Sequence, residues 1–288
     1  MKFGVILPNY ESWASKEAIV EVAEKAEEVG YDSVWSTDHV LVTRRWEHPY
    51  GHLFESLTTL SYVAGITEHV SLGTSILILP QRNPIIVAKQ VAALDKLSEG
   101  RVILGVGVGW LSEEFQMLGA SFQRRGRLTD EAIRVMRTLW TEENPSFDGE
   151  FYSFEDPAFY PKPAQDGGPP IWIAGASQPA LRRAAKLGDG WHPVGLSPPE
   201  IAGGRERIRA LTQRDVLLTL RLRVNLGGSR SPDYQRHMLT GGGDDLIKQL
   251  QKYADAGLQH LACQFTLKSI DGYLEQMSEF ASAVTPSF

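Results

Sequence analysis

The sequence has little that would tie it to an oxidising compartment or to a membrane. It contains one cysteine, Cys263, which cannot form an internal disulfide or a CxxC metal site. No uninterrupted apolar stretch reaches the roughly 18 residues of a membrane-spanning helix, and the N-terminus lacks the apolar segment and cleavage site of a signal peptide. These absences predict a reduced, cytoplasmic protein with no membrane partner.

Positive charge is not in excess either. Lys and Arg number 29 against 35 Asp and Glu, so the formal net charge is −6. This mild acidity gives no broad electrostatic footprint for nucleic acid. Hydrophobic residues make up 42% and charged residues 22%, a composition that excludes general disorder. We therefore expect a globular protein that does not bind nucleic acid.

Apolar strand-like segments alternate with amphipathic helical segments along the chain. Strands are predicted at residues 3–7, 32–36, 70–79, 102–106, 171–174, 190–194, 216–226 and 258–265. Helices are predicted at residues 19–29, 54–67, 83–100, 129–140 and 179–187, from the SPPE capping box at 197–200, and at 244–256 and 270–284. Eight units of about 36 residues favour a closed (β/α)8 TIM barrel over an open doubly wound sheet. We expect an α/β fold in which residues 1–288 form a single barrel domain.

Residues 141–170 interrupt this alternation. The segment is rich in proline and carries a predicted hairpin turn at Asp148–Gly149. Its aromatic side chains are Phe147, Phe151, Tyr152, Phe154, Phe159 and Tyr160. A long loop inside a compact domain is usually functional or disordered, and the aromatic density argues against disorder. We expect an ordered insertion that partly covers the barrel mouth.

The carboxyl ends of the barrel strands predict where the active site lies. Four of the seven tryptophans follow such ends, namely Trp13, Trp46, Trp110 and Trp191. Scattered core tryptophans would have no reason to concentrate on one face. The pattern predicts an aromatic cavity suited to a flat, conjugated ligand.

Asp38 and His39, at the end of the second predicted strand, are the best acid–base candidates. Histidine exchanges protons near neutral pH, and a nearby carboxylate orients it. Adjacent residues point in different directions, however, so a direct contact between the two side chains does not follow from their spacing. The alternative is a loop-capping aspartate beside a surface histidine.

Two glycine-containing segments suggest ligand contacts. Gly175, Ala176 and Ser177 precede a helix, where backbone amides and the helix N-terminus favour a phosphate; the alternative is a tight turn with Ser177 as N-cap. The GVGVG run at residues 105–109 is not a dinucleotide fingerprint, because its third glycine comes one position early. Glycine there allows a flat ring to lie against the strand end.

Other polar groups have structural explanations. His39, His48 and His52 do not predict a metal site, because Pro49 and Gly51 make a helical ligand face between the latter two unfavourable. Arg124, Arg125 and Arg127 either contact an anionic ligand or form a solvated helix start with Arg127 paired to Glu131. Cys263 is interpreted as a small buried hydrophobe.

The ordered motifs of the chain resemble the bacterial luciferase-like monooxygenase superfamily, which includes deazaflavin-dependent oxidoreductases. The matching segments include FGVILPN at 3–9, GYDSVWSTDHV at 30–40, LGTSILILPQRNPIIVAKQ at 72–90, RVILGVGVGWLSEEF at 101–115 and PPIWIAGASQPALRRAAKLGDGWHP at 169–193. The resemblance covers nearly the whole chain. It implies a TIM barrel with an insertion, usually a homodimer, that binds either FMN or the deazaflavin coenzyme F-420. The DH pair and the GTSI segment look most like the deazaflavin branch.

The resemblance also implies roles for individual residues. His39 is the proton donor or acceptor, Asp38 lines the same pocket, and a cis peptide bond joins Ser75 to Ile76. The implied cofactor-binding residues are Thr74, Ser75, Ile76, Gly107, Val108, Gly109, Gly175, Ala176, Ser177 and Trp191. Trp13, Trp46 and Trp110 are predicted to line the substrate pocket.

One position departs from part of the family. Trp110 stands where the family's sugar-phosphate dehydrogenases have glutamate, which argues against a sugar phosphate and favours a more apolar or aromatic substrate. Glu113 and Glu114 follow closely, and the sequence assigns no role to either. We expect an F-420-dependent oxidoreductase that transfers hydride to or from a small organic substrate. The alternatives are an FMN-dependent monooxygenase, a non-catalytic flavin-binding homologue and an unrelated barrel hydrolase or lyase.

Overall fold

The computed structural model of the protein describes residues 1–229, 236–266 and 269–288. In chain order, the strands of these residues are Lys2–Ile6 (β1), Ser33–Ser36 (β2), Ser71–Thr74 (β3), Leu77–Ile78 (β4), Val102–Gly107 (β5), Phe147–Asp148 (β6), Ser153–Phe154 (β7), Ile171–Ile173 (β8), Gly190–Trp191 (β9), Leu217–Leu226 (β10), Met238–Gly241 (β11) and His260–Phe265 (β12). The α-helices are Lys16–Glu28 (α1), Glu47–Tyr50 (α2), Ser56–Ala64 (α3), Pro84–Leu97 (α4), Ser112–Met117 (α5), Arg125–Thr141 (α6), Gln178–Leu187 (α7), Pro198–Arg209 (α8), Gly243–Asp255 (α9) and Ile270–Ala283 (α10). Short 3-10 helices lie at Arg44–Trp46, Leu79–Gln81 and Thr285–Ser287.

Eight parallel strands close into a barrel. They pair in the order β1, β2, β3, β5, β8, β9, β10 and β12, and β12 pairs back with β1. The predicted TIM barrel is therefore confirmed. The third predicted strand is interrupted, since β3 ends at Thr74 and β4 begins at Leu77. β11, which the sequence did not predict, pairs with β10.

Apolar side chains fill two regions of the barrel. The larger core lies between the strands and the surrounding helices, where α6 buries Ile133, Met136 and Leu139. The smaller core lies inside the barrel and includes Trp35 and Trp172. Among the described ranges, no helix is long and apolar enough to cross a membrane.

Local signals explain where several helices begin. Ser15, Asn83 and Ser177 cap α1, α4 and α7 with their side chains, and the predicted Ser197–Glu200 capping box begins α8. α8 is continuous through its two consecutive glycines, Gly203 and Gly204. The second glycine is needed for packing, because a Cβ at Gly204 would lie 2.1 Å from the ring of Trp191.

The hairpin of the insertion, β6–β7, is held by a carboxylate of α6. The backbone amides of residues 150–152 donate to Glu131 at 2.7 to 2.9 Å. Arg127 pairs with Glu150 rather than with Glu131, so the pair expected from helical spacing is not made. The reason is that three backbone donors of the hairpin already surround the Glu131 carboxylate.

The remainder of the insertion follows the outside of the barrel. The backbone amides of Ala164 and Gln165 donate to the carboxylate of Asp95 on α4, and the Gln165 side chain bonds the carbonyl of Val102 at the start of β5. Lys162 donates to carbonyl oxygens at the end of α6. These hydrogen bonds lie along the helices and at the amino-terminal side of the strands. They do not support the expectation that the insertion covers the barrel mouth.

Candidate active site

His39 and Glu114 form a buried pair at the barrel mouth. His39 follows β2, Glu114 lies on α5 after β5, and the His39 Nδ1 is 2.8 Å from the Glu114 Oε2. The other oxygen of Glu114 accepts from the amides of Val40 at 2.7 Å and Leu41 at 3.3 Å. Burial opposes the ionisation of Glu114, but the hydrogen bonds it accepts, led by the one from His39, hold its pKa below the usual range. An ionised carboxylate only accepts, so the proton of neutral His39 is fixed on Nδ1 and Nε2 is left to exchange a proton.

Asp38 faces a different partner from its neighbour. Both carboxylate oxygens bind the guanidinium of Arg82, at 2.8 and 2.9 Å, and one also accepts from the amide of Ile78 at 2.8 Å. Burial raises the pKa of Asp38, and the ion pair with Arg82 counteracts part of that rise. The Asp38 side chain therefore ties the end of β2 to the segment after β4, and it makes no hydrogen bond to His39.

The link between β3 and β4 packs closely against β5. The bond between Ser75 and Ile76 is cis, as the family resemblance implied. The hydroxyl of Thr74 donates to the carbonyl of Gly105 at 2.6 Å. A Cβ at Gly105 would lie 1.9 Å from the carbonyl oxygen of Thr74, and a Cβ at Gly107 would lie 2.4 Å from the Ile76 side chain. These two glycines of the GVGVG run therefore make room for the link.

Arg221 of β10 ties several strand ends together from inside the barrel. Its Nη1 donates to the Thr37 hydroxyl at 3.1 Å and to the carbonyl of Ser75 at 2.7 Å. Its Nη2 donates to the Tyr10 hydroxyl and to the Gln264 side chain, both at 3.0 Å. The guanidinium thus reaches the ends of β1, β2, β3 and β12, and places the cis peptide segment relative to all of them.

Two buried histidines of the barrel, His192 and His260, are neutral. The His192 Nε2 is 3.0 Å from the Ser75 hydroxyl, and its Nδ1 is 2.7 Å from the Thr219 hydroxyl. Burial, with smaller contributions from nearby positive groups, lowers the pKa of His192 to about 3. Burial likewise lowers the pKa of His260 to about 3. Both rings are uncharged near neutral pH, and His192 stacks on Trp35 at a centroid distance of 5.0 Å.

An aromatic row extends from the buried histidine to the surface. The ring centroid of His39 is 4.5 Å from that of Tyr50 and 5.9 Å from that of Trp110, and Trp110 is 4.8 Å from Trp46. Gly109, with φ of 75°, turns the chain at the residue between Val108 and Trp110. Trp110 therefore lies beside His39, and Trp46 packs against Trp110.

The other two tryptophans lie apart from this row. Trp13 is 38% exposed and makes no ring contact with the aromatic row within the described part of the chain. Trp191 is buried and packs toward Gly204 of α8, while its Nε1 donates to the carbonyl of Gly175 at 2.7 Å. It supports the Gly175–Ser177 turn from behind, so only two of the four tryptophans line the mouth near His39.

The Gly175–Ser177 turn is exposed at the start of α7. Gly175 has a φ of 99°, which favours glycine, and Ser177 caps the helix by accepting from the Ala180 amide. Ala176 and Ser177 are exposed. The capping function and the availability of backbone amides for an anion are compatible, because an N-cap side chain satisfies only one of the free amides.

Comparison with known proteins identifies the family. A model described as luciferase-like monooxygenase matches residues 1–227. The chain belongs to this family. The matched range includes the third-strand link, the DH pair after β2 and the glycine turn before α7.

Several curated relatives are named as F-420-dependent glucose-6-phosphate dehydrogenases. One from Amycolatopsis mediterranei (strain U-32) is 39% identical over 177 residues, which are 60% of this chain and 52% of the relative. One from Nocardia farcinica (strain IFM 10152) is 28% identical over 294 aligned positions, covering 84% of this chain and 86% of the relative. The chain spans about half the length of the first relatives it matches.

Solved structures share the fold along the whole chain. An F-420-dependent secondary alcohol dehydrogenase in complex with an F-420–acetone adduct superposes with a TM-score of 0.83 at 20% identity, covering 99% of this chain and 98% of that one. The F-420-dependent tetrahydromethanopterin reductase of Methanopyrus kandleri gives a TM-score of 0.82 at 15% identity, covering 100% and 99%. At these identities the likeness shows the fold alone.

The sequence did not identify three residues of the site. Glu114 was noted without a role, and Tyr10 and Arg221 were not singled out. Two signals were available in the sequence. Arg221 lies among leucines in a predicted barrel strand, and Glu114 lies in the first turn of the short helix α5 that follows β5. Neither signal names its partner, because His39 and Glu114 are 75 positions apart and Tyr10 and Arg221 are 211 apart.

Proposed function

We propose that the protein is an oxidoreductase that uses coenzyme F-420 and transfers hydride to or from a small organic substrate. The observation that carries this proposal is the His39–Glu114 pair, which places a histidine of fixed tautomer at the mouth of a luciferase-like barrel. The names of the relatives support F-420 as the coenzyme. When bound, the coenzyme supplies the hydride acceptor or donor.

The residues at the mouth fit a flat ring with a phosphorylated tail. The Ser75–Ile76 link, with Thr74, Gly107, Val108 and Gly109 around it, is proposed to support the ring. The exposed amides of Gly175, Ala176 and Ser177, at the positive end of α7, are proposed to bind the phosphate. Trp191 is proposed to act indirectly, by holding this turn.

The proposed role of His39 is proton transfer at Nε2. Oxidation of an alcohol removes a hydride from carbon and a proton from oxygen, and His39 accepts that proton. In the reverse direction the same nitrogen donates the proton. We propose that Glu114 positions His39 for both directions, and that Asp38, bound to Arg82, shapes the loop that carries it.

We propose a substrate more apolar than a sugar phosphate. Trp110 presents its indole ring beside His39, and Trp46 packs against Trp110. The family resemblance implies that Trp110 occupies the position where the sugar-phosphate dehydrogenases have glutamate. Turnover with secondary alcohols or ketones and no turnover with glucose 6-phosphate is the expected result. Comparable turnover with glucose 6-phosphate would contradict this part of the proposal.

Cofactor titration tests the proposal directly. Purified protein is titrated with F-420 and, separately, with FMN, while the spectrum of each bound chromophore is followed. We expect F-420 to bind and FMN to bind at least tenfold more weakly. Tight FMN binding without F-420 binding would replace the proposed coenzyme, and binding of F-420 without turnover of any alcohol or ketone would favour a non-catalytic homologue.

Replacing His39 with alanine tests its role. We expect turnover to fall by roughly 100-fold or more, since general acid–base catalysis contributes about that much. The affinity for F-420 should change by less than about threefold, and His52→Ala, an exposed histidine of the same loop region, is the matched control. Unchanged turnover in His39→Ala would remove this residue from the reaction.

We also propose that the protein is a cytoplasmic homodimer. The family resemblance supports the dimer, and Ile86 and Leu97 on α4 expose apolar surface that a second copy would cover. The buried thiol of Cys263 is compatible with a reducing compartment. Light scattering during size-exclusion chromatography gives the mass, and a monomer mass of 32.0 kDa would contradict the dimer.

A further inference from the structure

The hydrogen bonds around Arg221 leave one proton of this cluster without an acceptor. A guanidinium only donates, so the Gln264 Oε1, at 3.1 and 3.0 Å from Nε and Nη2, must be the acceptor. This fixes the orientation of the Gln264 amide, and its Nε2 therefore donates to the Tyr10 hydroxyl oxygen at 2.6 Å. Arg221 donates to the same oxygen at 3.0 Å. The Tyr10 oxygen receives two hydrogen bonds, and its own hydrogen has no acceptor among the residues that the structure describes.

Arg221 is at the same time a buried cation whose hydrogen-bond acceptors, among the residues that the structure describes, are all neutral groups. Its side chain belongs to a residue that is 7% exposed, and its acceptors are two hydroxyls, an amide oxygen and a backbone carbonyl. A buried charge without a counterion is unfavourable unless a ligand or substrate compensates it. The positive charge also polarises the Tyr10 hydroxyl, which makes it a stronger donor.

Tyr10 is one of the residues that line a cavity large enough for a small molecule. The cavity has a volume of about 290 Å³ and lies at the carboxyl ends of β1, β10 and β12, where Gln264 and Thr266 also line it. Glu11 and Arg223 contribute charges of opposite sign to the same wall. In the closed strand order β1 lies opposite β8, so the cavity is across the barrel from the Gly175–Ser177 turn.

We propose that Tyr10 is a ligand-binding residue whose hydroxyl donates a hydrogen bond to a carbonyl or carboxylate oxygen of the organic molecule held in this cavity, with Arg221 strengthening the donation. The substrate is the favoured source of that oxygen, because the cavity lies opposite the turn proposed for the coenzyme phosphate. The ring carbonyls of the coenzyme share the same chemistry. The identity of the two ligands rests on the proposed function, whereas the unused proton of Tyr10 does not.

The test compares Tyr10→Phe with Tyr62→Phe, which removes a hydroxyl from the exposed face of α3. Oxidised F-420 is titrated into each protein first. Acetone, cyclohexanone, pyruvate and benzoate are then titrated into the F-420-saturated proteins, with binding followed by calorimetry. We expect Tyr10→Phe to lower the affinity for the two ketones roughly 3- to 10-fold, and the affinity for the two carboxylates roughly 10- to 100-fold. The affinity for F-420 should stay within twofold of wild type, and Tyr62→Phe should change nothing.

The two sources of the oxygen give different results. Weaker F-420 binding with unchanged probe binding would identify a coenzyme carbonyl as the partner of Tyr10. Affinities within twofold of wild type for F-420 and for all four probes would overturn the proposal. Failure of all four probes to bind wild-type holoprotein would overturn the substrate as the source.

A structural measurement covers the case in which Tyr10→Phe unfolds. Crystals of wild-type holoprotein with a bound probe should place a ligand oxygen about 2.6–3.0 Å from the Tyr10 oxygen. A nearest ligand oxygen beyond about 3.5 Å would refute the inference. Failure of wild type to bind F-420 would instead refute the proposed function. The four probes would then be titrated into both proteins without coenzyme, and the same loss of probe affinity in Tyr10→Phe relative to wild type is expected.

Discussion

Glu114→Gln is expected to reverse the tautomer of His39 while leaving the shape of the site intact. The Glu114 Oε1 accepts from two backbone amides, which can only donate, so in the variant the glutamine oxygen must stay there. The new NH2 group then faces the His39 Nδ1 at the position that now lies 2.8 Å away. Because two donors cannot share that contact, Nδ1 must become the acceptor and the proton must move to Nε2.

The consequence for turnover follows from this proton position. Nε2 would no longer accept a proton from the substrate, so the rate of alcohol oxidation should fall by roughly 10² to 10⁴, or about 3 to 5 kcal/mol of barrier. The affinity for F-420 should change little, since the side-chain volume is preserved. The matched control is Glu113→Gln, an exposed neighbour on the same helix whose side chain accepts a hydrogen bond from the Ser112 hydroxyl.

Two measurements check this reasoning. Steady-state turnover gives the loss of rate, and nitrogen-15 NMR of labelled histidine reports which ring nitrogen of His39 carries the proton. A variant that keeps the proton on Nδ1, or that turns over like Glu113→Gln, would refute the positioning role of Glu114. A tautomer change without loss of rate would refute the proton-transfer role of His39.

Two further predictions concern stability. Burial lowers the pKa of His192 and His260 to about 3, so below about pH 6.5 both rings bind protons in the unfolded chain but not in the folded chain. The free energy of unfolding should therefore fall as the pH falls from 6.5 toward 3, by up to about 1.4 kcal/mol per pH unit for each ring. Urea denaturation at several pH values between 7 and 4 measures the free energy of unfolding. This free energy should depend less steeply on pH in His260→Gln than in wild type, and its pH dependence should be unchanged in His52→Gln. The same pH dependence in all three proteins would contradict the lowered pKa of His260. In α8, Gly203→Ala should raise the free energy of unfolding by about 0.5–1 kcal/mol, because a Cβ there meets open space. Gly204→Ala should lower it by about 1–3 kcal/mol, because the Cβ would clash with the buried indole of Trp191. The same urea denaturation measures the free energy of unfolding of both variants. Equal changes in the two variants would show that contacts of the added Cβ do not determine their stability.

The barrel could be predicted because its signals are local. Each apolar run and each capped amphipathic segment lies within about 36 residues, and repetition of that unit defines the architecture. The interruption of the third strand could not be read from apolar character, since apolar residues lie on both sides of the Ser75–Ile76 link, Leu72 before it and Leu77 after it. It was the family resemblance that implied the cis bond there.

The sequence indicated which strand ends carry the candidate residues, but not which residues pair. His39 and Trp110 follow different strands and are in ring contact, and Trp46 packs against Trp110. Asp38 was expected in the same pocket, yet it binds Arg82, which is 44 positions away and follows a different strand. Such pairings depend on which strand ends are neighbours around the closed barrel, and residue spacing along the chain carries no information about that order.

The hydrogen bonds that Arg221 makes to several strand ends inside the barrel have an evolutionary consequence. Because four strand ends are fastened to one another from within, the loops that leave them need not hold the mouth together. Those loops are free to change length and composition without displacing the platform below. A descendant of this chain could thus acquire a different substrate by exchanging loop residues alone, while keeping the same arrangement of polar groups underneath.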